Sequence, residues 1–197
     1  MAKFHYKESP SEKQKKAFSA YLSEDEDLVL ATSFSKAYVR SMFTLYLLFP
    51  GLLVGGLGFG LGLLLRLDQV NSLLLALGLA ILTAFLKTLH IYHANRYLLT
   101  TRRVIIKRGL FSVKLMVALY DKITHLEVDQ SFVDRLLLHH GSVIVNTAGL
   151  NKGEIVLKLV DYPMEIKNLL ERLINREREQ MGMRAQTLTE VEGEIIS

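Results

Sequence analysis

The chain contains two long apolar runs, Met42 to Leu65 and Val70 to Leu86, set between polar stretches of mixed charge. A membrane-spanning helix needs about 20 predominantly apolar residues, and the first run is longer than that and carries no charged residue. The connection from Arg66 to Gln69 is too short to hold a domain. The pattern therefore predicts a hairpin of two transmembrane helices over residues 41–94, which enters and leaves the bilayer on one side.

Residues 1–40, before the hairpin, predict a polar N-terminal segment with one short amphipathic helix. Pro10 and Glu12 are typical of a first helical turn. Leu28 to Phe34 alternates weakly and is typical of a strand. We expect the segment to lie against the soluble part of the protein; recruitment of another protein by the helix is the alternative. The apolar residues that share one face of the helix are Ala17, Phe18, Tyr21 and Leu22.

After Asn95 the pattern changes to short apolar alternations separated by turns, which is typical of strands. The alternation slips after Ile123, which predicts a β-bulge near His125. Phe132 to Leu137 show helical spacing behind Ser131 and predict a helix of one or two turns. The six predicted strands are Tyr97–Thr101, Val104–Arg108, Leu115–Tyr120, Ile123–Asp129, Ser142–Thr147 and Glu154–Val160.

The chain ends with an amphipathic helix and a polar tail. Asp161 to Pro163 predict the start of the helix, because proline is favoured in a first turn. Residues 181–197 have little to bury and predict a disordered acidic tail. Antiparallel strands closed by one helix predict an α+β domain over residues 95–180, which is a small β-barrel or a bent sheet capped by the helix. The apolar stripe of the helix comprises Ile166, Leu169, Leu170, Leu173 and Ile174.

Charge predicts how the hairpin is oriented. Loops rich in Lys and Arg are retained in the cytoplasm. The connecting loop offers Arg66, partly offset by Asp68, whereas both flanks of the hairpin are more basic. We therefore expect both termini to lie in the cytoplasm. The flanking cations are Lys13, Lys15, Lys16, Lys36 and Arg40 on one side, and Arg96, Arg102 and Arg103 on the other.

Glycines spaced by three and four residues lie along one face of the first predicted helix. Helices in lipid associate by close approach at small residues. We favour packing of this face on the second helix of the same hairpin, and a self-association face is the alternative. Gly56 and Gly60 form a second small-residue pair nearby. The glycines of the packing face are Gly51, Gly55, Gly58 and Gly62.

The residues that carry catalysis in other proteins form no recognisable constellation here. The chain has no cysteine, which excludes disulfides, thiolate zinc sites and cysteine nucleophiles. His90 and His93 have a spacing that suits a metal, but no carboxylate or thiolate accompanies them. Lys87 is expected to extend to the headgroups. The sequence predicts a protein that is not an enzyme and that needs no cofactor or metal.

A basic cluster lies on the first two predicted strands and the turn that follows. A strand pair that emerges directly from the membrane would place these residues beside anionic headgroups. They are candidate lipid-headgroup or partner-binding residues, and the alternative is that they only fix the orientation of the hairpin. A peptide that adds to a sheet edge is a further candidate partner, whereas nucleic acid is not expected. The cluster comprises Arg102, Arg103, Lys107, Arg108 and Lys114.

Three segments resemble the bacterial pleckstrin-homology-like domain: Tyr97 to Phe111, Asp121 to Ser131 and Gly141 to Gly149. The chain is similar to small membrane-anchored proteins in which two transmembrane helices precede such a domain, and the likeness spans Asn95 to about Ile174. The resemblance implies a pleckstrin-homology fold and a location in the inner (plasma) membrane of a bacterium, and it brings no catalytic residues. That fold has seven strands, so the seventh would come from Leu28 to Phe34 or from the residues around Phe111.

These patterns together predict a membrane-anchored scaffold or regulator that presents its domain at the cytoplasmic membrane surface. Membrane lipids are the expected partners. The alternative is a subunit of a homo- or hetero-oligomeric membrane assembly, held by the glycine-rich first helix.

Overall fold

The computed structural model describes residues 5–6, 10–110, 112–132, 134, 139–148 and 154–196. The first helix, α1, spans Glu12–Phe18. It begins at Ser11, whose side chain accepts a hydrogen bond from the Gln14 backbone while the Gln14 side chain accepts one from the Ser11 backbone. This reciprocal capping box defines the start of the helix. A 3₁₀ turn, Ser19–Tyr21, follows it.

Two strands on either side of the helical hairpin are neighbours in one sheet. Strand β1, Leu28–Thr32, pairs antiparallel with β2, Asn95–Thr100, so that Leu28 lies opposite Thr100 and Thr32 opposite Tyr97. The hairpin is therefore inserted between two adjacent strands. Strand β1 is the seventh strand, and it lies in Leu28 to Phe34, one of the two segments predicted to supply it. The predicted domain bounds, residues 95–180, leave this strand out.

The hairpin consists of a bent helix and a straight one. Helix α2, Lys36–Tyr46, continues through a π-helical turn, Leu47–Gly51, into α3, Leu52–Leu64. Pro50 lies in that turn, where wider winding accommodates a residue without a backbone N–H. Helix α4 spans Gln69–Ala94. By length and composition the stretches Lys36–Leu64 and Gln69–Ala94 are each long and apolar enough to cross a membrane.

The remaining strands form two sheets. The first has the order β1-β2-β3-β4, with β3 at Arg103–Arg108 and β4 at Lys114–Leu119. The second has the order β5-β6-β7, with the strands Ile123–Asp129, His140–Thr147 and Glu154–Asp161. The register shifts between Ile123 and His125, which is the predicted bulge.

The predicted closed barrel is not formed. A 3₁₀ turn, Tyr120–Lys122, separates β4 from β5. No strand pairing joins the two sheets among the residues that the structure describes. The chain therefore starts a second sheet after this turn instead of continuing the first.

Helix α5, Pro163–Ile196, begins at the predicted proline and fills the space beside the two sheets. Its five predicted stripe residues are all buried in a core with residues such as Tyr97, Val104 and Leu157. The helix continues to Ile196, whereas the sequence predicted a disordered tail from residue 181. The residues after 180 include good helix formers and no proline, so the helix can propagate from its packed first half. The short helix predicted over Phe132 to Leu137 lies largely outside the described residues.

The N-terminal segment lies against the outer face of the four-stranded sheet, as expected. Phe18, Tyr21 and Leu22 pack against a small buried cluster formed by Leu28, Leu98 and Ile105. The amphipathic face of α1 and its 3₁₀ turn is thus occupied by the domain itself.

Candidate functional site

The four-stranded sheet has two distinct ends. At the hairpin end, β1 leads into α2 through residues 33–35 and β2 follows directly from α4. Asn95 lies there opposite Arg108, and Arg108 lies opposite Lys114. At the far end, Arg103 lies opposite Leu119. The position of a basic residue along a strand therefore determines how far it lies from the hairpin.

The predicted basic cluster is divided between these two ends. Lys107, Arg108 and Lys114 lie at the hairpin end, whereas Arg102 and Arg103 lie at the far end. The five residue steps from Arg103 to Arg108 correspond to about 17 Å along an extended strand. The structure therefore brings three of the five residues close to the hairpin and separates the other two from them.

At the far end, Arg103 is bound to a buried carboxylate. Its Nε donates to Glu26 Oε1 at 2.9 Å and to Oε2 at 3.1 Å, and its Nη2 donates to Oε2 at 2.6 Å. Burial alone would raise the pKa of Glu26, but hydrogen bonds from Arg103 and Thr100 lower that pKa below its ordinary value. Arg103 also donates to Ser23 Oγ at 2.9 Å. This arginine fastens the segment before β1 to the sheet.

Arg102 lies in the same acidic environment. Its Nε is 3.9 Å from Oε1 of Glu177 on α5. The cleft of about 190 Å³ that both arginines line also contains Glu26, Asp121 and Glu177. Three carboxylates beside two guanidinium groups leave no excess of positive charge, so this end of the sheet is poorly suited to an anionic ligand.

The three basic residues at the hairpin end have no such partners. Lys107 Nζ lies 5.5 Å from the centre of the Tyr21 ring, and Arg108 Nη2 donates to the carbonyl of Val156 at 3.3 Å. Lys114 is exposed. No carboxylate forms an ion pair with any of the three within the described part of the chain. Their charges are therefore available to an anion from outside.

Two further cations lie where the hairpin joins the domain. The guanidinium of Arg96 stacks on the ring of Tyr92, 4.6 Å from its centre. Lys36 is the first residue of α2 and is exposed. Its backbone N–H donates to Asp161 at 3.3 Å. Both residues were predicted as orientation signals, and neither was among the predicted site residues.

An open cleft of about 690 Å³ separates the base of the hairpin from the domain. His5 stacks on Tyr162 at 3.7 Å and its Nδ1 lies 2.7 Å from Glu165. Tyr6 donates to the carbonyl of Asp161 at 2.7 Å, and burial raises the pKa of Tyr6 above its usual range. This cleft was not predicted, because the segments that line it are far apart in the sequence. The lining residues are His5, Tyr6, Gln14, Ala31–Phe34, Lys36, Ala37, Tyr92, Arg96, His139, Asp161 and Tyr162.

The glycine face of the first helix lies against α4. A β-carbon added to any of its four glycines would be only 2.6–3.3 Å from an atom of α4. A β-carbon on Gly56 or Gly60 would meet no atom within 4 Å. The face in contact with α4 therefore sets the distance between the two helices, whereas the surface at Gly56 and Gly60 is open. The four glycines in contact with α4 are Gly51, Gly55, Gly58 and Gly62.

The histidines form no metal centre in the part of the chain that the structure describes, where no group of three or more His, Cys, Asp or Glu side chains is placed to hold an ion. His140 is buried, and its Nδ1 lies 3.6 Å from Asp134 Oδ1. Its ring meets the Tyr38 ring edge to face. This histidine packs at the base of the hairpin.

Comparison with known proteins identifies one family. A family model described as "Bacterial PH domain" matches residues 49–174. The chain is similar to the crystal structure of a DUF1696 family protein with a pleckstrin-homology domain from Shewanella loihica PV-4, with 12% identity, a TM-score of 0.43 and coverage of 85% of this chain and 99% of that one. The chain is also similar to the crystal structure of a pleckstrin homology domain from Shewanella amazonensis SB2B. The sequence identity is 13%, the TM-score is 0.46, and the match covers 87% of this chain and 93% of that one. No curated protein matches.

Proposed function

Because the chain belongs to the bacterial PH domain family, we propose that it is a membrane-anchored, non-catalytic scaffold or regulator. The inserted hairpin holds the domain at the cytoplasmic face of the inner membrane. The hairpin end of the sheet then binds anionic lipid headgroups, or a protein partner that displays anionic groups at the same surface.

The exposure of large apolar side chains along the hairpin carries this proposal. Leu57, for example, is 76% exposed, and Phe49 and Leu64 are similarly uncovered. Only 22% of an apolar stretch of 18 residues is buried in each of the two candidate spans. An apolar surface of this extent is not stable in water and is typical of contact with lipid. At about 1.5 Å per residue, α4 is about 39 Å long, which is sufficient to cross a hydrocarbon core of about 30 Å.

The distribution of charge supports the orientation and the ligand. Lys36, Arg40 and Arg96 lie at the hairpin end, whereas the connecting loop holds Arg66 and Asp68. This asymmetry favours a cytoplasmic domain. Basic residues close to an anionic leaflet each contribute about 1 kcal/mol of attraction. Among the described residues, no carboxylate forms an ion pair with Lys107, Arg108 or Lys114 and so competes with lipid phosphates.

Lipids that co-purify with the full chain in mild detergent test the ligand. We expect a variant with Lys107→Gln, Arg108→Gln and Lys114→Gln to retain severalfold less anionic phospholipid than the natural chain, as measured by mass spectrometry. Arg102→Gln, at the far end of the same sheet, is the matched control and retains the natural amount. Equal retention by both variants would exclude the hairpin end as the headgroup site.

A second function is favoured by the open glycines. Gly56, Gly60 and Gly78 face away from the hairpin contact, and β-carbons there would meet no atom within 4 Å. Small residues on a lipid-facing surface permit close approach of another helix. In this alternative the chain is a subunit of a membrane assembly. Crosslinked bands in native membranes that disappear with Gly56→Leu and Gly60→Leu would support it, and bands that persist would exclude these glycines as the contact.

A further inference from the structure

The loop between β3 and β4 exposes apolar side chains next to basic ones. Leu110 and Val113 are 44% and 45% exposed. Arg108 ends β3 immediately before the loop, and Lys114 begins β4 immediately after it. Apolar side chains flanked by basic ones are the combination that binds an anionic bilayer surface, because the first enter the acyl region and the second meet the phosphates.

This loop is attached to the last residue of the hairpin. The Gly109 N–H donates to the carbonyl of Ala94, the final residue of α4, at 2.7 Å. The next residue of the chain, Asn95, lies opposite Arg108. The loop therefore begins at the level at which the chain leaves α4.

Gly109 has a conformation that favours glycine at the start of the loop. Its φ is +95°, a left-handed value that favours glycine. A β-carbon at this position would lie 1.9 Å from the carbonyl oxygen of Ser112. Gly109 and Ser112 therefore lie close together, and Leu110 and Val113 are the next residue after each of them.

We propose that Leu110 and Val113 insert into the interfacial layer of the anionic membrane that holds the hairpin, while Arg108 and Lys114 contact lipid phosphates. This inference rests on the proposed function, because the position of the loop relates to the bilayer only through α4. It gives the domain a second membrane contact on the opposite side of β2 from β1. The connection from β1 to α2 then meets the membrane on one side of β2, and the loop between β3 and β4 meets it on the other. The two contacts together fix the tilt of the domain relative to the membrane.

The same strand provides a matched control. Leu119 ends β4 at the far end of the sheet, opposite Arg103, and is 47% exposed. It thus resembles Val113 in apolar character and exposure but lies about 20 Å further along the strand, at about 3.4 Å per residue. Insertion of the loop predicts lipid around Val113 and water around Leu119.

Nitroxide labels on single cysteines test the proposal in the full chain, because the natural chain has no cysteine. The variants are Leu110→Cys, Val113→Cys, Leu119→Cys and Leu57→Cys, all at exposed positions. Each is reconstituted into vesicles of phosphatidylethanolamine and phosphatidylglycerol, and its collisions with oxygen and with a water-soluble nickel chelate are measured. We expect the ratio of oxygen to nickel collisions to be highest at residue 57, severalfold lower at residues 110 and 113, and lowest at residue 119.

The outcomes separate the two proposals. In one outcome, the label at residue 57 lies in lipid, but the labels at residues 110 and 113 are as accessible to nickel as the label at residue 119. This result overturns the loop insertion and leaves the anchor intact. A label at residue 119 as deep as that at residue 113 also overturns it, because the whole strand would then lie on the membrane. A label at residue 57 in water overturns the anchor itself and the inference with it.

Discussion

Gly58 of α3 lies so close to Leu79 of α4 that a β-carbon added to the glycine would be 2.6 Å from Leu79 Cδ1. Gly55 approaches Ala76 and Ala80 in the same way. Small residues on both helices therefore allow the two backbones to approach each other. Apolar burial provides no driving force between helices in lipid, so in the proposed membrane location this close packing would hold the hairpin together.

Gly58→Leu is expected to destabilise the hairpin. A side chain at this contact would force α3 and α4 apart, and overpacking of this kind costs about 1–3 kcal/mol. Thermal unfolding of the detergent-solubilised chain, followed by circular dichroism, measures the effect. Gly56→Leu is the control, since that position is open. Equal loss of stability in both variants would contradict the assignment of the Gly58 face to the contact with α4.

Glu26→Gln is expected to loosen the segment before β1. The variant replaces charged hydrogen bonds to Arg103 with weaker ones, and charged hydrogen bonds contribute about 1.5–3 kcal/mol each. Arg103 retains access to water, which offsets part of the lost hydrogen-bond energy. We therefore expect the free energy of unfolding to fall by about 2 kcal/mol. Glu24→Gln, at an exposed position two residues earlier, provides the control in the same denaturation assay.

The same pair predicts a pH dependence. The pKa of Glu26 is lower in the folded protein than the ordinary value of 4.5, so the folded state binds this proton less readily than the unfolded state. The stabilisation is fully present above the ordinary pKa and is lost as the pH falls through the lowered one. Natural protein should therefore lose more stability than Glu26→Gln between neutral pH and a pH well below 4.5. Parallel profiles would show that the carboxylate does not contribute in this way.

Gly109→Ala and Gly182→Ala are expected to have opposite effects. Alanine at residue 109 must adopt a positive φ and would clash with Ser112, at a cost of about 1–3 kcal/mol. Gly182 is an exposed helical position in α5 with nothing within 4 Å of the added β-carbon, so alanine there should stabilise by about 0.5–1 kcal/mol. Denaturation midpoints of the two variants measure both effects. A neutral result at residue 109 would contradict the described turn.

Removal of the hairpin is expected to leave a folded domain. Since Thr32 and Tyr97 are paired neighbours, residues 36–94 can be replaced by a short glycine-containing loop that reconnects β1 to β2. The resulting protein should stay in solution without detergent and show the circular dichroism of mixed strand and helix. An insoluble product, or one without strand signal, would indicate that the hairpin is part of the domain core and not an insertion.

Features that depend on local periodicity could be read from the sequence. The stripe of α5 from Ile166 to Ile174 repeats every three or four residues, and all its members are buried. The bulge near His125 appeared as a slip in alternation and is present in the register. In each case neighbouring residues alone carry the pattern.

Features that depend on distant partners could not be read in this way. The partner of Arg103 is Glu26, 77 residues earlier, so a basic cluster in sequence became two separate environments in space. Likewise β1 is separated from β2 by the whole hairpin, so the resemblance suggested Leu28 to Phe34 as a seventh strand, but the local pattern could not identify β2 as its neighbour. The cleft at the base of the hairpin could not be predicted either, because the residues that line it come from segments that are distant in the sequence.

Alkaline carbonate extraction tests most directly whether the hairpin anchors the domain in a membrane. Membranes that contain the full chain are washed with carbonate, which removes proteins bound only at the surface, and the pellet and supernatant are compared. The natural chain is predicted to remain in the pellet, and the variant without residues 36–94 is predicted to appear in the supernatant. Release of the intact natural chain into the supernatant would contradict the account.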